Sequence, residues 1–214
     1  TAAGTVLFNG LLGLALDQSD STDEFMYAAN RYNQTGDYGF GPSTISKACT
    51  GITVTATCTG LGKLVKVFKT DSGAHQIEVQ GDYVYTLTSN KKLYKLNKSD
   101  LSLVTSTDIT TSINSLHPYR DGLAAAGDYV YISSWRGNKI CKFNAADLSD
   151  ANFTSGLHCA TAHLHRPYSL AVSGKTTATT DDDFLYVWRK LNPGTINKYN
   201  ANSGNFISRF AKRG

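Results

Sequence analysis

The sequence predicts an all-β protein assembled from repeated four-stranded units. A five-residue stretch, Gly-Asp-Tyr-Val-Tyr, occurs at positions 81–85 and again at 127–131, with an apolar run before each copy. Short runs in which apolar and polar residues alternate, bounded by Gly, Asn and Asp, are typical of antiparallel strands. No window of the sequence shows the sustained periodicity of an amphipathic helix. Together these patterns favour a modular β-sheet protein.

Each unit repeats the same order of strands. A strand of small apolar residues is followed by a Gly/Asp turn, a strand rich in aromatic residues and an Asn/Gly turn. A third strand then alternates Lys with apolar residues and usually ends in Asn, and a more variable fourth strand follows it. The aromatic strands align through one tyrosine each: Tyr27, Tyr85, Tyr131 and Tyr186.

The spacing of these tyrosines, 58, 46 and 55 residues, is typical of the blades of a β-propeller. One four-stranded sheet cannot cover both of its own faces, whereas sheets stacked radially cover each other. The run Ala124-Ala125-Ala126 suits the crowded innermost strand of a blade. We therefore predict a single β-propeller-like domain over residues 1–214 with about four recognisable blades. They form either a four-bladed ring or an arc of a larger propeller, which another copy could also close.

Two units are less regular than the others. In the first, residues 44–49 align with the third strand, so residues 52–58 are expected to form the fourth strand. Residues 63–69 are then an extra strand or the start of the next unit. In the third unit, residues 152–157 are expected to form the fourth strand. At the N-terminal end, residues 1–11 are expected to form a strand or arm, and the apolar segment at 6–16 can add a strand to a neighbouring copy.

The last unit carries a family resemblance. Its sequences Pro-Tyr-Ser-Leu-Ala-Val (167–172), Phe-Leu-Tyr-Val (184–187) and Thr-Ile-Asn-Lys-Tyr-Asn (195–200) resemble NHL-type β-propeller repeats, and the resemblance extends from Leu12 onward. Propellers of the NHL type usually have more blades than are visible here. Some propeller enzymes of similar type, such as amidating lyases, hold a metal with histidines from several blades at the central channel.

That resemblance makes histidines the candidate metal ligands. His117 and His165 precede innermost strands in successive units, and His163 forms a His-x-His pair with His165. The alternative interpretation, which we favour, is that they are loop histidines beside prolines. Calcium is a second candidate cofactor, through the acidic run Asp181-Asp182-Asp183, but Asp is also favoured in turns for its own hydrogen bonds.

The four cysteines, Cys49, Cys58, Cys141 and Cys159, are expected to form two disulfides. Their spacing does not fit the short cysteine pairs of zinc sites, and an even count in a Met-poor chain favours an oxidising compartment. The repeat alignment favours Cys49–Cys58 and Cys141–Cys159. In each pair the first cysteine falls on or beside a third strand and the second follows a fourth strand, so each bridge ties the outer hairpin of its unit.

Sequons and charge limit the class of partner. Asn33, Asn97 and Asn152 begin sequons, which point to N-linked glycans and an extracellular location. The net charge of +4 is dispersed along the chain, which does not suit nucleic-acid binding. The apolar run at 6–16 is too short to span a membrane.

We therefore predict a secreted or cell-surface, non-enzymatic β-propeller that serves as a structural, self-assembly or interaction module, such as a subunit of a fibre or surface layer. Its partners are expected to be proteins or further copies of itself. No catalytic residue is assigned, because no nucleophile elbow, phosphate loop or zinc-protease motif occurs in the sequence. The alternative is a metal-dependent lyase- or lactonase-type propeller enzyme with the histidine site at its channel mouth.

Overall fold

The structure, a computed structural model, shows an all-β chain with four antiparallel sheets in the part that it describes, as predicted. The described residues are 11–17, 25–30, 43–50, 63–113, 121–173, 183–189 and 194–210. Of the predicted arm at 1–11, only Leu11 lies within them. None of the described residues belongs to a helix that is long and apolar enough to cross a membrane.

In the described sheets each strand pairs with the strand that precedes or follows it in the chain, except that the strand Cys159–Ala160 pairs with the strand Lys139–Asn144. The first sheet contains β1 (Leu11–Asp17), β2 (Phe25–Asn30), β3 (Thr44–Cys49) and β4 (Leu64–Lys69). The second contains β5 (Ala74–Gln80), β6 (Tyr83–Thr88), β7 (Lys92–Asn97) and β8 (Leu103–Asp108). The third contains β9 (Gly122–Ala126), β10 (Tyr129–Ser134), β11 (Lys139–Asn144) and β12 (Asp150–Ala151), with β13 (Cys159–Ala160) also paired to β11. The fourth contains β14 (Pro167–Ser173), β15 (Phe184–Arg189), β16 (Thr195–Asn200) and β17 (Phe206–Phe210).

The chain divides into two compact units, and each has its own apolar core. The first unit, residues 1–90 and 94–104, holds the first sheet and most of the second. The second unit, residues 91–93 and 105–214, holds the third and fourth sheets. Core residues of the first unit include Tyr27, Ile45, Ile77, Val84 and Leu96, and those of the second include Tyr131, Ile140, Leu170, Val187 and Tyr199. The single domain over 1–214 stays a prediction.

The repeated tyrosine occupies one position in all four described sheets. Tyr27, Tyr85, Tyr131 and Tyr186 are each the third residue of a second strand, as the repeat alignment predicts. Because side chains alternate along a strand, the first, third and fifth residues of these strands share a face of the sheet. The position of a residue in the second strand therefore identifies its equivalents in the other sheets. Residues of the first and third strands are matched through the second-strand residue with which they pair.

Two fourth strands differ from the sequence prediction. Residues 64–69 pair with β3 as β4, so this segment is the outer strand of the first sheet, whereas residues 52–58 lie outside the described residues. The fourth strand of the third sheet is Asp150–Ala151 and not residues 152–157. Phe153 leaves the sheet edge because its ring packs into the core of the second unit, and a turn follows it.

The third and fourth strands are joined by the same turn in the last three sheets. The amide of a residue in the left-handed region donates to the carbonyl of the Asn that ends the third strand. The pairs are Leu101 to Asn97, Leu148 to Asn144 and Gly204 to Asn200, with φ of 56°, 62° and 72°. Both leucines are buried, and this burial offsets the cost of a left-handed leucine, about 1 kcal/mol or more.

Within each unit the innermost strands of its two sheets lie against each other. β1 packs against β5 in the first unit, and β9 packs against β14 in the second. A Cβ atom on Gly13 would lie 3.1 Å from Ile77 Cγ2, and one on Gly122 would lie 2.7 Å from the backbone nitrogen of Leu170. The innermost strands therefore need small residues, as expected, and the two glycines are the tightest points.

Gly122→Ala should lower the free energy of unfolding by about 2 kcal/mol, because the added methyl group meets the main chain of Leu170 and Ser133 Oγ. Urea denaturation followed by circular dichroism measures this. Gly73→Ala is the matched control, since its methyl group would meet only the Ser89 side chain, at 3.1 Å or more, and should cost less than about 0.5 kcal/mol. Equal losses in both variants would contradict the close approach of β9 and β14.

Candidate functional site

A disulfide joins two neighbouring strands at the outer side of the third sheet. Cys141 of β11 and Cys159 of β13 are opposite each other in the register, and their sulfurs are bonded. This is the pair that the repeat alignment favours. Cys49, at the end of β3, is also disulfide-bonded, and its predicted partner Cys58 lies outside the described residues. A bridge across 18 residues contributes about 3 kcal/mol to stability in the chain-entropy picture.

Beside this disulfide, Ser112, Asp150 and His158 lie close together. The Ser112 hydroxyl donates to the two Asp150 carboxylate oxygens at 2.8 and 2.9 Å, and His158 Nε2 lies 3.4 Å from Asp150 Oδ1. In a hydrolytic triad the imidazole stands between the hydroxyl and the carboxylate, so that it can take the hydroxyl proton. Here the carboxylate stands between them. The cluster therefore fastens the segment around Asp150 to Ser112 and lacks the geometry of a nucleophile and its base.

The same histidine is close to both sulfurs of the bridge. Cys141, His158 and Cys159 are the one group of three potential ligands within 4.8 Å of one another that the described residues contain. Because the two sulfurs are bonded to each other, they provide no thiolate for a metal.

The predicted histidine ligands lie on the segment before β14. His163 and His165 are exposed, and the His163 ring stacks on Phe206 with the ring centres 4.3 Å apart. In the described part of the chain, neither imidazole belongs to a group of three potential ligands. His117 lies outside the described residues, so the three histidines are not brought together there. The transition-metal site stays a prediction.

The acidic run before β15 is described only at its last residue. The Asp183 carbonyl accepts the Ala201 amide at 2.8 Å, just as the Asp82 carbonyl accepts the Lys98 amide. This hydrogen bond is made by the main chain, so the turn role of the Asp183 side chain stays a prediction. Asp181 and Asp182 lie outside the described residues, and calcium binding stays a prediction.

The sequon asparagines differ in the freedom of their side chains. Asn152 is exposed on the segment that follows β12. Asn97 is half-buried, and its Nδ2, the atom to which a glycan attaches, donates to Ser102 Oγ at 2.7 Å. Asn33 lies outside the described residues. Asn152 is therefore the best-placed of the described sequons, and glycosylation stays a prediction.

Every described sheet places a lysine of its third strand over an aromatic ring of its second strand. The distance from lysine Nζ to the ring centre is 3.9 Å or less in all four. A desolvated cation over an aromatic face contributes on the order of 1–2 kcal/mol, and burial lowers the pKa of Lys142. The pairs are Lys47 with Phe25, Lys95 with Tyr83, Lys142 with Tyr129 and Lys198 with Phe184.

In the first sheet of each unit, the repeated tyrosine also binds the next sheet, and in the first unit the lysine does so as well. The Tyr27 hydroxyl and Lys47 Nζ both donate to the Lys98 carbonyl at 3.1 Å, and Lys47 Nζ also donates to the Ser99 carbonyl at 3.0 Å. In the second unit the Tyr131 hydroxyl donates to the Ala201 carbonyl at 3.3 Å. Burial raises the pKa of Tyr27 and Tyr131, which keeps both hydroxyls protonated as donors. We call such a tyrosine and lysine the carbonyl socket of a sheet.

A cavity of about 280 Å³ lies beside the socket of the first sheet. It contains an ion pair, Lys98 Nζ to Asp17 Oδ2 at 3.1 Å, so its charges are compensated within the chain. Its volume is slightly below the usual range of small-molecule sites. The lining residues are Asp17, Phe25, Lys47, Asp82, Asn97, Lys98 and Ser99.

On the fourth sheet, the side that carries the socket is exposed. Trp188, Ile196 and Phe210 are 39%, 36% and 43% exposed, and they are direct cross-strand neighbours in one row. In the first three sheets the residues at the positions of Trp188 and Ile196 are fully buried: Ala29, Leu87 and Ser133, and Ile45, Leu93 and Ile140. We call the exposed side of the fourth sheet the open face; it comprises Ser169, Ala171, Tyr186, Trp188, Ile196 and Phe210.

The repeat alignment does not separate Trp188 from the residues that are covered at the same position in other sheets. The available signal is size at one repeat position. Sheets one to three have Ala, Leu and Ser there, whereas the fourth has Trp. The repeat alignment also misses the role of the lysine at the fourth position of each third strand, although Lys47, Lys95, Lys142 and Lys198 all recur there.

Comparisons with known proteins support the fold. No family model matches the sequence, and no curated protein matches it. The computationally designed Ika4 protein is similar in structure, with a TM-score of 0.55 and 10% identity over 90% of this chain and 91% of that one. The WD40 repeats of RRP9 are similar with a TM-score of 0.62 and 12% identity, covering 93% of this chain and 50% of that one.

A third similar structure is that of BBS1N in complex with ARL6DN, with a TM-score of 0.60 and 13% identity over 96% of this chain and 55% of that one. This chain thus spans about half the length of the RRP9 and BBS1N chains. At such low identity the likeness shows a β-propeller-like fold and nothing about activity. The finer assignment to NHL repeats stays a prediction.

Lys47→Met should lower the free energy of unfolding by about 2 kcal/mol, because it removes the hydrogen bonds from Nζ to the Lys98 and Ser99 carbonyls and the contact of Nζ with the Phe25 ring. Lys198→Met is the matched control. Lys198 stacks on Phe184 in the same way but is only half-buried, so its loss should cost less than about 1 kcal/mol. Urea denaturation of both variants tests this, and a larger loss for Lys198→Met would contradict the role of the socket.

Glu78 of β5 should make the stability depend on pH, because burial raises its pKa from 4.5 to about 7. The folded chain then holds the proton more tightly than the unfolded chain, so its contribution to stability is lost as pH rises from about 4.5 to about 7. Glu78→Gln should remove this dependence and raise the free energy of unfolding near pH 8 by about 2 kcal/mol. Urea denaturation between about pH 5 and 8 measures it. The same slope in both proteins would exclude Glu78 as the titrating group.

Proposed function

We propose that this protein is a non-enzymatic interaction module, which binds protein partners and further copies of itself through the open face of its fourth sheet. The observation that carries the proposal is the exposure of Trp188, Ile196 and Phe210 in one cross-strand row. Contiguous apolar surface of this kind marks interaction sites, and aromatic residues dominate binding energy at such sites. The β-propeller-like fold is compatible with this role, because its sheets present rigid faces to partners.

We further propose that the protein works outside the cell, secreted or at the cell surface. The disulfide between Cys141 and Cys159 supports this, because disulfides persist in oxidising compartments. The exposed sequon asparagine, Asn152, supports it as well. Intact mass before and after enzymatic deglycosylation of the secreted protein tests this part of the proposal, and an unchanged mass in a glycosylating host would count against it.

The double variant Trp188→Ser, Ile196→Ser should weaken self-association at least tenfold, because it removes two buried anchors from the interface. Sedimentation velocity over a concentration series measures the association, and urea denaturation should show little change in the fold. Leu103→Ser is the matched control, because Leu103 of β8 is 50% exposed and lies on another sheet. Wild-type protein that stays monomeric throughout the series would overturn self-association through this face.

A further inference from the structure

We propose that the open face of one copy receives the first sheet of a second copy, so that two copies meet head to tail. The proposal rests on the proposed function and names its partner. The partner surface is the outward side of β1, which carries Leu14 and Leu16. These leucines are 52% and 54% exposed, so the first sheet also has an uncovered apolar side.

The packing inside each unit shows which sides of two sheets fit together. Gly13 lies against Ile77 in the first unit, and Gly122 lies against Leu170 in the second. Both glycines pair with the fifth residue of their second strand, which are Ala29 and Ser133. Ile77 and Leu170 both pair with the fourth residue of theirs, which are Thr86 and Val187. The same join, a small residue of one sheet against a branched apolar residue of the next, is therefore made in both units.

The fourth sheet and the first sheet each carry one half of the same join on an exposed side. Ser169 pairs with Trp188, the fifth residue of β15, so it occupies the place of the two glycines. Leu14 pairs with Ala28, the fourth residue of β2, so it occupies the place of Ile77 and Leu170. Ser169 and Leu14 are both exposed, whereas Ile77 and Leu170 are buried. The fourth sheet thus presents the receiving side and the first sheet presents the inserted side.

The carbonyl socket supplies a second, polar half of the contact. Tyr186 and Lys198 have the positions of Tyr27 and Lys47, but they are half-buried where the earlier pair is buried. The carbonyls that the earlier sockets bind belong to Lys98 and Ala201, each of which directly follows a third strand. Thr50 follows β3 in the same way. We therefore assign the Thr50 carbonyl of the second copy as the acceptor for Tyr186 and Lys198.

The occupant is a second copy because both halves of the join are present on this chain and both are exposed in the structure. A heterologous contact of this kind adds the sheets of one copy to those of another. The contact buries aromatic and branched side chains on both sides, as stable interfaces do.

Photo-crosslinking from the open face tests the partner directly. Trp188 is replaced by p-benzoylphenylalanine, which keeps an aromatic group at the centre of the face. Isotope-labelled and unlabelled copies are mixed, irradiated and mapped by mass spectrometry. The expected product joins position 188 to β1, the strand of Leu14 and Leu16, with one labelled and one unlabelled peptide.

Other products overturn the proposal in distinguishable ways. A link between position 188 and β1 that never mixes labels shows that the first sheet of the same chain is the occupant. A link from position 188 to position 188 shows a symmetric contact between two open faces. Either of these links shows that the head-to-tail pair is wrong, but a link from position 188 to position 188 leaves the proposed self-association standing. Monomeric protein without any link overturns both the head-to-tail pair and self-association through the open face.

A pair of tyrosine variants tests the socket. Tyr186→Phe should weaken association about tenfold and leave the denaturation midpoint unchanged, because the hydroxyl acts between copies. Tyr131→Phe is the matched control, since its hydroxyl donates to Ala201 within the chain. It should lower the denaturation midpoint and leave association unchanged. Unaltered association in Tyr186→Phe would exclude the Thr50 carbonyl as the acceptor.

Discussion

The hydrogen bonds from a buried tyrosine and lysine to turn carbonyls are the interaction on which the packing of neighbouring sheets depends. Tyr27 and Lys47 converge on the Lys98 carbonyl, which belongs to the turn after the third strand of the next sheet. Buried polar groups cost free energy unless they are paired, so this contact is favourable in only one registration of the two sheets. Apolar contacts alone would allow the two sheets to slide past each other. The socket therefore specifies the position that the apolar residues then stabilise.

Lys47 can be buried because two kinds of contact stabilise its ammonium group. Phe25 offers its ring face at 3.9 Å, and the carbonyls of Lys98 and Ser99 accept hydrogen bonds. The aromatic residue at the start of the second strand and the lysine of the third strand are thus one device, which explains why they recur together. Without the ring, the desolvation of the lysine ammonium group would be offset less and its burial would cost more free energy. An aromatic ring without the lysine would lose its polar partner.

The repeat carries most of the information that predicts this fold. Tyr27, Tyr85, Tyr131 and Tyr186 mark the second strands correctly, because each combines local alternation with a turn signal that precedes it. The outer strands are harder to predict. Residues 152–157 have the pattern of a strand, but Phe153 instead joins the core of the second unit. Tertiary burial of one aromatic side chain overrides the local pattern, and no neighbouring residue in the sequence signals it.

The site was less predictable than the fold. The repeat alignment suggests Cys141–Cys159 because Cys141 falls on a third strand and Cys159 follows the fourth strand of the same unit, and the structure places the two cysteines opposite each other. The open face gives a weaker signal, which is only the larger size of Trp188 at the position of Ala29, Leu87 and Ser133, and Ile196 resembles the covered Ile45, Leu93 and Ile140. Exposure is a property of what lies next to a sheet and not of the residues on it. Only the structure shows which of four similar faces is uncovered.

The residues of the open face differ from those that repeat proteins place on the outer side of a terminal unit. Terminal units of repeat proteins carry polar residues on their outer side, because nothing covers them and solubility requires it. The outer strand β4 follows this rule in part, with Lys66 and Lys69 exposed. The fourth sheet does the opposite: it keeps Tyr186 and Lys198 at the socket positions and places Trp188 at its fifth position. A sheet that retains both the donors and the apolar anchors of an interface is built to be covered, and the first sheet carries the side that fits it.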